Sequence, residues 1–306
     1  MDRYKLKGHS AVFMANVIFG LGVPVTKLLL DNWVTPIGYI ATRSLGAAII
    51  FWIVQCFAPK EKVVTKDLIV ILLGGLLGFV VSQTLTSFSL YYTSPFYYSL
   101  VAAMTPVAVM LLATVFIKEQ ITTRSIIGVL LALLGGMLMI FASKVNLNGG
   151  SNDLLGIFLA ILSLLTWAVY LIVTRKISSR YSPVTQMKWV FLISALVTVP
   201  FAMKDFSTNK LYTSGIAWDG IIEMAFIVVF ATVLGYFLIP FAMKYLKATT
   251  VSVYTNLQTV VAAFVAMAIG QDILTWDKPI AGILILVGAY IVTTRNDDSN
   301  SSPVKK

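Results

Sequence analysis

Residues 68–90 read LIVILLGGLLGFVVSQTLTSFSL, with no charged side chain from Leu68 to Leu90. At about 1.5 Å of rise per residue, a helix of this length crosses the ~30 Å hydrocarbon core of a bilayer. Nine further windows of similar character lie at 9–30, 35–57, 95–116, 124–143, 154–174, 183–203, 219–241, 249–270 and 279–294. The chain therefore reads as an all-α polytopic membrane protein with ten transmembrane helices. Composition agrees: of 306 residues 58 % are hydrophobic and 12 % charged, and mean hydropathy is +0.88. A soluble domain has about 25 % charged residues, and a disordered chain lacks the 12 % aromatics found here. The basic start (Arg3, Lys5, Lys7) resembles a signal-peptide n-region, but the following span is too long for an h-region and has no small-x-small cleavage site.

Lysine and arginine set the orientation. With a cytoplasmic N-terminus, sixteen fall in cytoplasmic segments and four (Lys144, Lys204, Lys210 and Lys278) outside, while Lys27, Arg43 and Lys188 lie within spans. Positive charge concentrates on the cytoplasmic side of membrane proteins, so both termini are expected inside, in a bacterial plasma (inner) membrane. Topology then accounts for the net charge of +10 without nucleic acid. Trp33, Trp218 and Trp276 fall at outer helix ends, where interfacial aromatics belong. The chain has one cysteine, Cys56, one histidine, His9, and no P-loop. An intrachain disulfide, a Cys-based zinc site, a His pair and a His-based triad are excluded, and direct ATP-driven pumping is disfavoured. No enzyme activity, cofactor or metal is expected. The expected partners are the bilayer and a small-molecule substrate, and nothing requires more than a monomer.

The two halves resemble each other. Phe19-Gly20…Lys27 matches Trp167-Ala168…Arg175 at an offset of 148, and Thr35-Pro36 matches Ser182-Pro183 at 147. Ser89 to Tyr92 matches Ala242 to Tyr245 at 153, Glu119 to Thr122 matches Asp272 to Thr275 at 153, and Gly128 matches Gly282 at 154. Ordered matches with slowly drifting offsets mark an internal repeat. Each half holds five spans, and because five is odd, the second half enters from the opposite side. The repeat is inverted, as in many secondary transporters. The organisation is an N-terminal cytoplasmic segment (1–8), a first repeat (9–143), an extracytoplasmic linker (144–153), a second repeat (154–294) and a disordered cytoplasmic tail (295–306).

The duplicated five-helix unit, Ser89-Leu-x-Tyr92 ending the third span, Thr105-Pro106 in the fourth and Glu119-x-Ile-Thr after it resemble the EamA-type members of the drug/metabolite transporter superfamily. The resemblance covers residues 8–294. It implies a ten-helix bundle with a cavity walled by spans one, three, four, six, eight and nine. It also implies a small metabolite as cargo, often an amino acid and commonly exported. The second repeat has Gln258-Thr259 where the fourth span has Thr105-Pro106, so the proline break is not symmetric.

Polar residues within spans are expensive and face the bundle interior. Arg43 lies about 12 Å deep in the second span. It either pairs with a substrate carboxylate or phosphate through its bidentate fork, or serves the scaffold. Lys27 either shares a polar face with Asn16 and Gly20 or snorkels to the interface. Gly20-x-Gly22-x-Pro24 and Pro106 are candidate gating or helix-break positions. Asn16, Arg43, Gln83, Thr86, Tyr98, Ser99, Thr105, Trp167, Tyr170, Tyr236, Ser252, Asn256 and Gln258 are the candidate cavity residues. Their aromatic faces suit the apolar part of an amphipathic solute, and their polar groups would fix its orientation. Gly74, Gly75 and Gly78 read as a close-packing patch. No acid occupies the first span, which disfavours proton-coupled export of cations. The expected function is secondary-type transport of an amino-acid-like zwitterion or carboxylate by alternating access. The alternatives are a phosphorylated or nucleotide-linked sugar antiporter, which wants clustered cavity cations, and a non-transporting scaffold or receptor.

Overall fold

A computed structural model describes residues 3–93, 98, 101–102, 104–118, 123–142, 152–268, 280, 283–284, 287–288 and 291. Among these residues all regular structure is helical. The helices are α1 (Arg3–Asn32), α2 (Pro36–Phe57), α3 (Thr65–Tyr92), α4 (Thr105–Ile117), α5 (Thr123–Ala142), α6 (Asp153–Ser178) and α7 (Pro183–Phe201). They continue with the short α8 (Met203–Thr208) and α9 (Lys210–Thr213), then α10 (Trp218–Met243), α11 (Ala248–Val253) and α12 (Thr255–Ala268). Six of them, α1, α2, α3, α6, α7 and α10, are long and apolar enough to cross a membrane. Expected boundaries move by a few residues, mostly outward: the first span begins at Arg3 and the sixth ends at Ser178. The expected ninth span is two helices separated at Tyr254. Most of the tenth, the 144–151 linker, Glu119, Asp272 and the tail lie outside the described residues.

Two helices, one in each half of the chain, begin alike. Thr35 caps α2 by accepting from the Gly38 N–H, and Ser182 caps α7 by accepting from the Thr185 N–H; each is followed by proline. A hydroxyl cap with proline in the first turn fixes a helix start. Both α3 and α10 contain a π-helical segment, at Leu76–Val81 and Ile227–Leu234.

α2 packs along α7 at the centre, α3 and α4 against α6, and α10 and α12 against α1. An aromatic cluster fills the middle: Phe51 stacks on Phe191 at 5.6 Å, and Phe79 meets Phe191 and Tyr236 edge to face at 4.8 and 5.3 Å. Close approach of α3 to α6 depends on Gly78, where a Cβ would stand 2.3 Å from Tyr170.

Loops from one half clasp the helix starts of the other. The Glu61 carboxylate accepts from the Ser182 N–H and hydroxyl at 3.0 Å each, while Asp67 pairs with Arg180 at 3.2 Å and accepts from the Tyr181 hydroxyl at 2.9 Å. At the opposite end of α2 and α7, Asn209 Nδ2 donates to Thr35 Oγ1 at 3.3 Å, the Leu211 N–H donates to the Trp33 carbonyl, and the Thr42 and Tyr212 hydroxyls bond each other. Glu61 and Asn209 are related by the same offset of 148 seen in the sequence repeat. Burial pushes the Glu61 carboxyl up, but bonds from the Ser182 N–H and nearby hydroxyls, with the charge of Lys244, leave it below the usual glutamate value.

A depressed carboxyl stabilises the fold above the unfolded glutamate pKa, about 4.3, and its contribution disappears as pH falls through the lower folded value. Glu61→Gln is expected to lower amide hydrogen-exchange protection over residues 182–186 at neutral pH. The wild type should show a similar loss only below about pH 4, and equal protection in both proteins at neutral pH would contradict the clasp.

Candidate functional site

Arg43 is 5 % exposed, in the middle of α2. Its Nη1 donates to the hydroxyl of Tyr39, one turn earlier, at 3.3 Å, and to Gln83 Oε1 of α3 at 3.2 Å. Its Nε donates at 2.9 Å to Thr232 Oγ1 in the π-helical segment of α10. Thr232 spends its own hydrogen on the Ile227 carbonyl, five residues back, at 2.8 Å. The guanidinium carbon lies 5.1 and 5.2 Å from the ring centroids of Tyr39 and Phe79. A guanidinium has five N–H donors. The two on Nη2 find no acceptor, and no carboxylate pairs with Arg43, among the described residues.

Arg43 lines a central cavity of about 160 Å³, whose walls come from α1, α2, α3, Tyr98, Ala102, Thr105, α6, α10, α11 and α12. One wall is a chain of hydroxyls: Thr86 bonds Ser163 at 2.7 Å, and Ser163 donates to the Ser82 carbonyl at 2.9 Å. The opposite side offers an unmet acceptor. Asn16 is fully buried and donates Nδ2 to the Val12 carbonyl at 2.8 Å, while its Oδ1 has no partner. A buried polar atom left without a partner costs about 1–3 kcal/mol unless something else meets it. Trp167 and Tyr236, edge to face at 5.9 Å, supply the apolar face together with Phe19.

Of the candidate residues, Asn16, Arg43, Gln83, Thr86, Tyr98, Thr105, Trp167, Tyr236 and Gln258 line this cavity. Tyr170, Ser252 and Asn256 are buried but lie off it. Tyr170 packs beside Trp167 with centroids 5.0 Å apart, and Ser252 turns its hydroxyl to the Thr249 carbonyl. Ser99 lies outside the described residues. The second span, absent from the expected walls, contributes Tyr39 and Arg43. Tyr39, one turn from Arg43, was findable by spacing; Thr232 carries no local signal of its role. Lys27 pairs with Asp31 at 2.7 Å near the end of α1. Lys188 stands away from the cavity, against Trp52 and Trp189.

The expected break at Pro24 is absent: α1 runs as one helix through it. Proline removes one ladder bond, and the packing of α1 between α10 and α12 absorbs that loss. Gly20 instead permits contact with α12, since a Cβ there would meet Val261 at 2.7 Å and the Gln258 carbonyl at 2.8 Å. Gly22 lines the cavity. Pro106 sits in the first turn of α4, after an interruption at Met104, and Tyr254 interrupts the matching helix without a proline. Backbone breaks therefore occur in both halves although the proline does not repeat. Among the described residues no group of His, Cys, Asp or Glu could hold a metal ion.

Long apolar helices around a small cavity of hydroxyls, amides, aromatics and one cation make the architecture of a membrane carrier. The EamA-like transporter family matches residues 6–141 and again 154–294, and the chain belongs to that family. It is an integral membrane transporter and not an enzyme. It is 24 % identical to a Bacillus subtilis protein named uncharacterized transporter YyaM, over 84 % of each chain. It is 23 % identical to an Archaeoglobus fulgidus uncharacterized transporter, over 86 % of this chain and 91 % of that one. A solved crystal structure shares the fold with a TM-score of 0.74 at 16 % identity, over 95 % of this chain and 96 % of the other.

Thr232→Val keeps the shape of the side chain but strands the Arg43 Nε–H, which should cost about 1–3 kcal/mol. Thermal unfolding in detergent should show a lowered transition for Thr232→Val and a near-normal one for Thr232→Ser. Equal transitions for both variants would contradict the bond.

Proposed function

We propose that the protein is a secondary-type carrier of a small amino-acid-like zwitterion or carboxylate, working by alternating access through the central cavity. The observation that carries this reading is Arg43: a buried guanidinium on the cavity wall with Nη2 unspent and no carboxylate partner among the described residues. A substrate carboxylate supplies the missing charge and acceptors, and Asn16 Oδ1 receives a donor such as an ammonium. The volume of about 160 Å³ compares with the ~150 Å³ that accommodates benzene, which favours a small solute over a nucleotide-linked sugar. A phosphorylated-sugar antiporter would want clustered cations, and Arg43 is the sole cation among the described lining residues. No carboxylate lines the cavity among them either, so exchange or facilitated transport fits better than proton antiport of cations.

Two inverted five-helix repeats supply the exchange of access. Support comes from the family match to each half, the paired caps, π-helical segments and helix breaks, and reciprocal packing. α1 lies against α10 and α12 as α6 lies against α3 and α4. In the full proposal the chain forms ten helices in a bacterial plasma membrane with both termini cytoplasmic. It exports its cargo, with the bilayer and the solute as its partners.

Counterflow of labelled amino acids and organic acids into proteoliposomes tests the function. One class should exchange and be competed by its relatives, and Arg43→Ala should cut its flux about tenfold or more, the loss expected for a charged hydrogen bond worth at least ~1.5 kcal/mol. Absence of exchange for every carboxylate-bearing solute, in folded protein, would overturn the reading.

A further inference from the structure

Lys188 lies five residues beyond Pro183 in α7, about 8 Å along the helix. Its ammonium stands 5.6 Å from the ring centroids of both Trp52 of α2 and Trp189, and the two indoles meet edge to face. Only 9 % of the residue is exposed, and it forms no hydrogen bond or ion pair with a described residue. Beside it, Trp189 Nε1 is buried with no acceptor. A cation against an indole whose own N–H is unmet calls for an anion. The charged groups acting on Lys188 are Glu61 and Lys60 of the α2–α3 loop. Glu61 is already bonded to the start of α7, whereas Lys60 adds a second positive charge. Trp52 belongs to an exposed apolar stripe on α2 with Leu45, Ile49 and Ile53, a surface suited to acyl chains.

We propose that Lys188, Trp189 Nε1 and Lys60 form a site for the phosphate of an anionic phospholipid, whose chains lie along the α2 stripe. Interfacial tryptophans and lysines at this depth are the groups that meet lipid headgroups. By the repeat offset of 147, the first half carries Ala41 where the second carries Lys188. The site therefore exists once and engages one leaflet. It does not depend on the cargo of the central cavity.

Native mass spectrometry of the full chain, purified and offered equal phosphatidylglycerol and phosphatidylcholine, tests the site. Wild type should retain phosphatidylglycerol over phosphatidylcholine by about fivefold, the factor that ~1 kcal/mol for one interfacial lysine gives. Lys188→Gln should abolish the preference and Lys188→Arg should keep it. Trp189→Phe, which leaves the ring face and removes the N–H, should weaken it even if the glutamine variant folds poorly. Equal retention of the two lipids, or a preference unchanged in Lys188→Gln, would overturn the proposal. Displacement of the lipid by millimolar inorganic phosphate would assign the site to free phosphate instead.

Discussion

A guanidinium inside a bilayer must be satisfied by the protein, because insertion of an arginine at the centre of a helix costs about 3 kcal/mol. Arg43 meets this constraint with three protein bonds and two aromatic faces, drawn from α2, α3 and α10. The central aromatic cluster forms around it, since Phe79 touches the guanidinium and also packs on Phe191 and Tyr236. Both π-helical segments take part: Phe79 belongs to the first and Thr232 to the second. π-Helical turns often occur at functional sites. Here each supplies one partner of the buried charge, Phe79 a ring face and Thr232 a hydroxyl. Arg43 itself lines the cavity, and its Nη2 finds no acceptor among the described residues.

The scaffold repeats and the chemistry does not. Helix caps, helix breaks, π-helical segments and cross-half loop contacts occur in both halves. The charged residues break the pattern: Arg43 corresponds to Val190, Lys188 to Ala41, and Glu61 to Asn209. One clasp is ionic and the other is amide to hydroxyl, so acid weakens only one of them.

The six long spans were legible because each is a long apolar stretch with few or no charges, in two cases opened by a cap and proline, Thr35-Pro36 and Ser182-Pro183. The cavity was legible where polar residues cluster on one helix, as with Ser82, Gln83 and Thr86. In α2 the sequence singled out Arg43 but not Tyr39, because helical spacing names a face and not the neighbour it meets. Thr232 escaped notice because a threonine in an apolar run ordinarily bonds its own backbone, which it also does here. Ser252 and Asn256 are buried but lie off the cavity. In a bundle most helix faces are buried, so a buried polar stripe does not by itself point at the one shared cavity. At Pro24 the chain continues as one helix, packed against α10 and α12.

The most direct measurement is thermal stabilisation of the wild-type protein by amino acids and by their carboxamides, which differ only in the group that would meet Arg43. A carboxylate-bearing ligand should raise the unfolding transition while its carboxamide leaves it unchanged. Equal shifts for acid and carboxamide would contradict Arg43 as the anchor of the cargo.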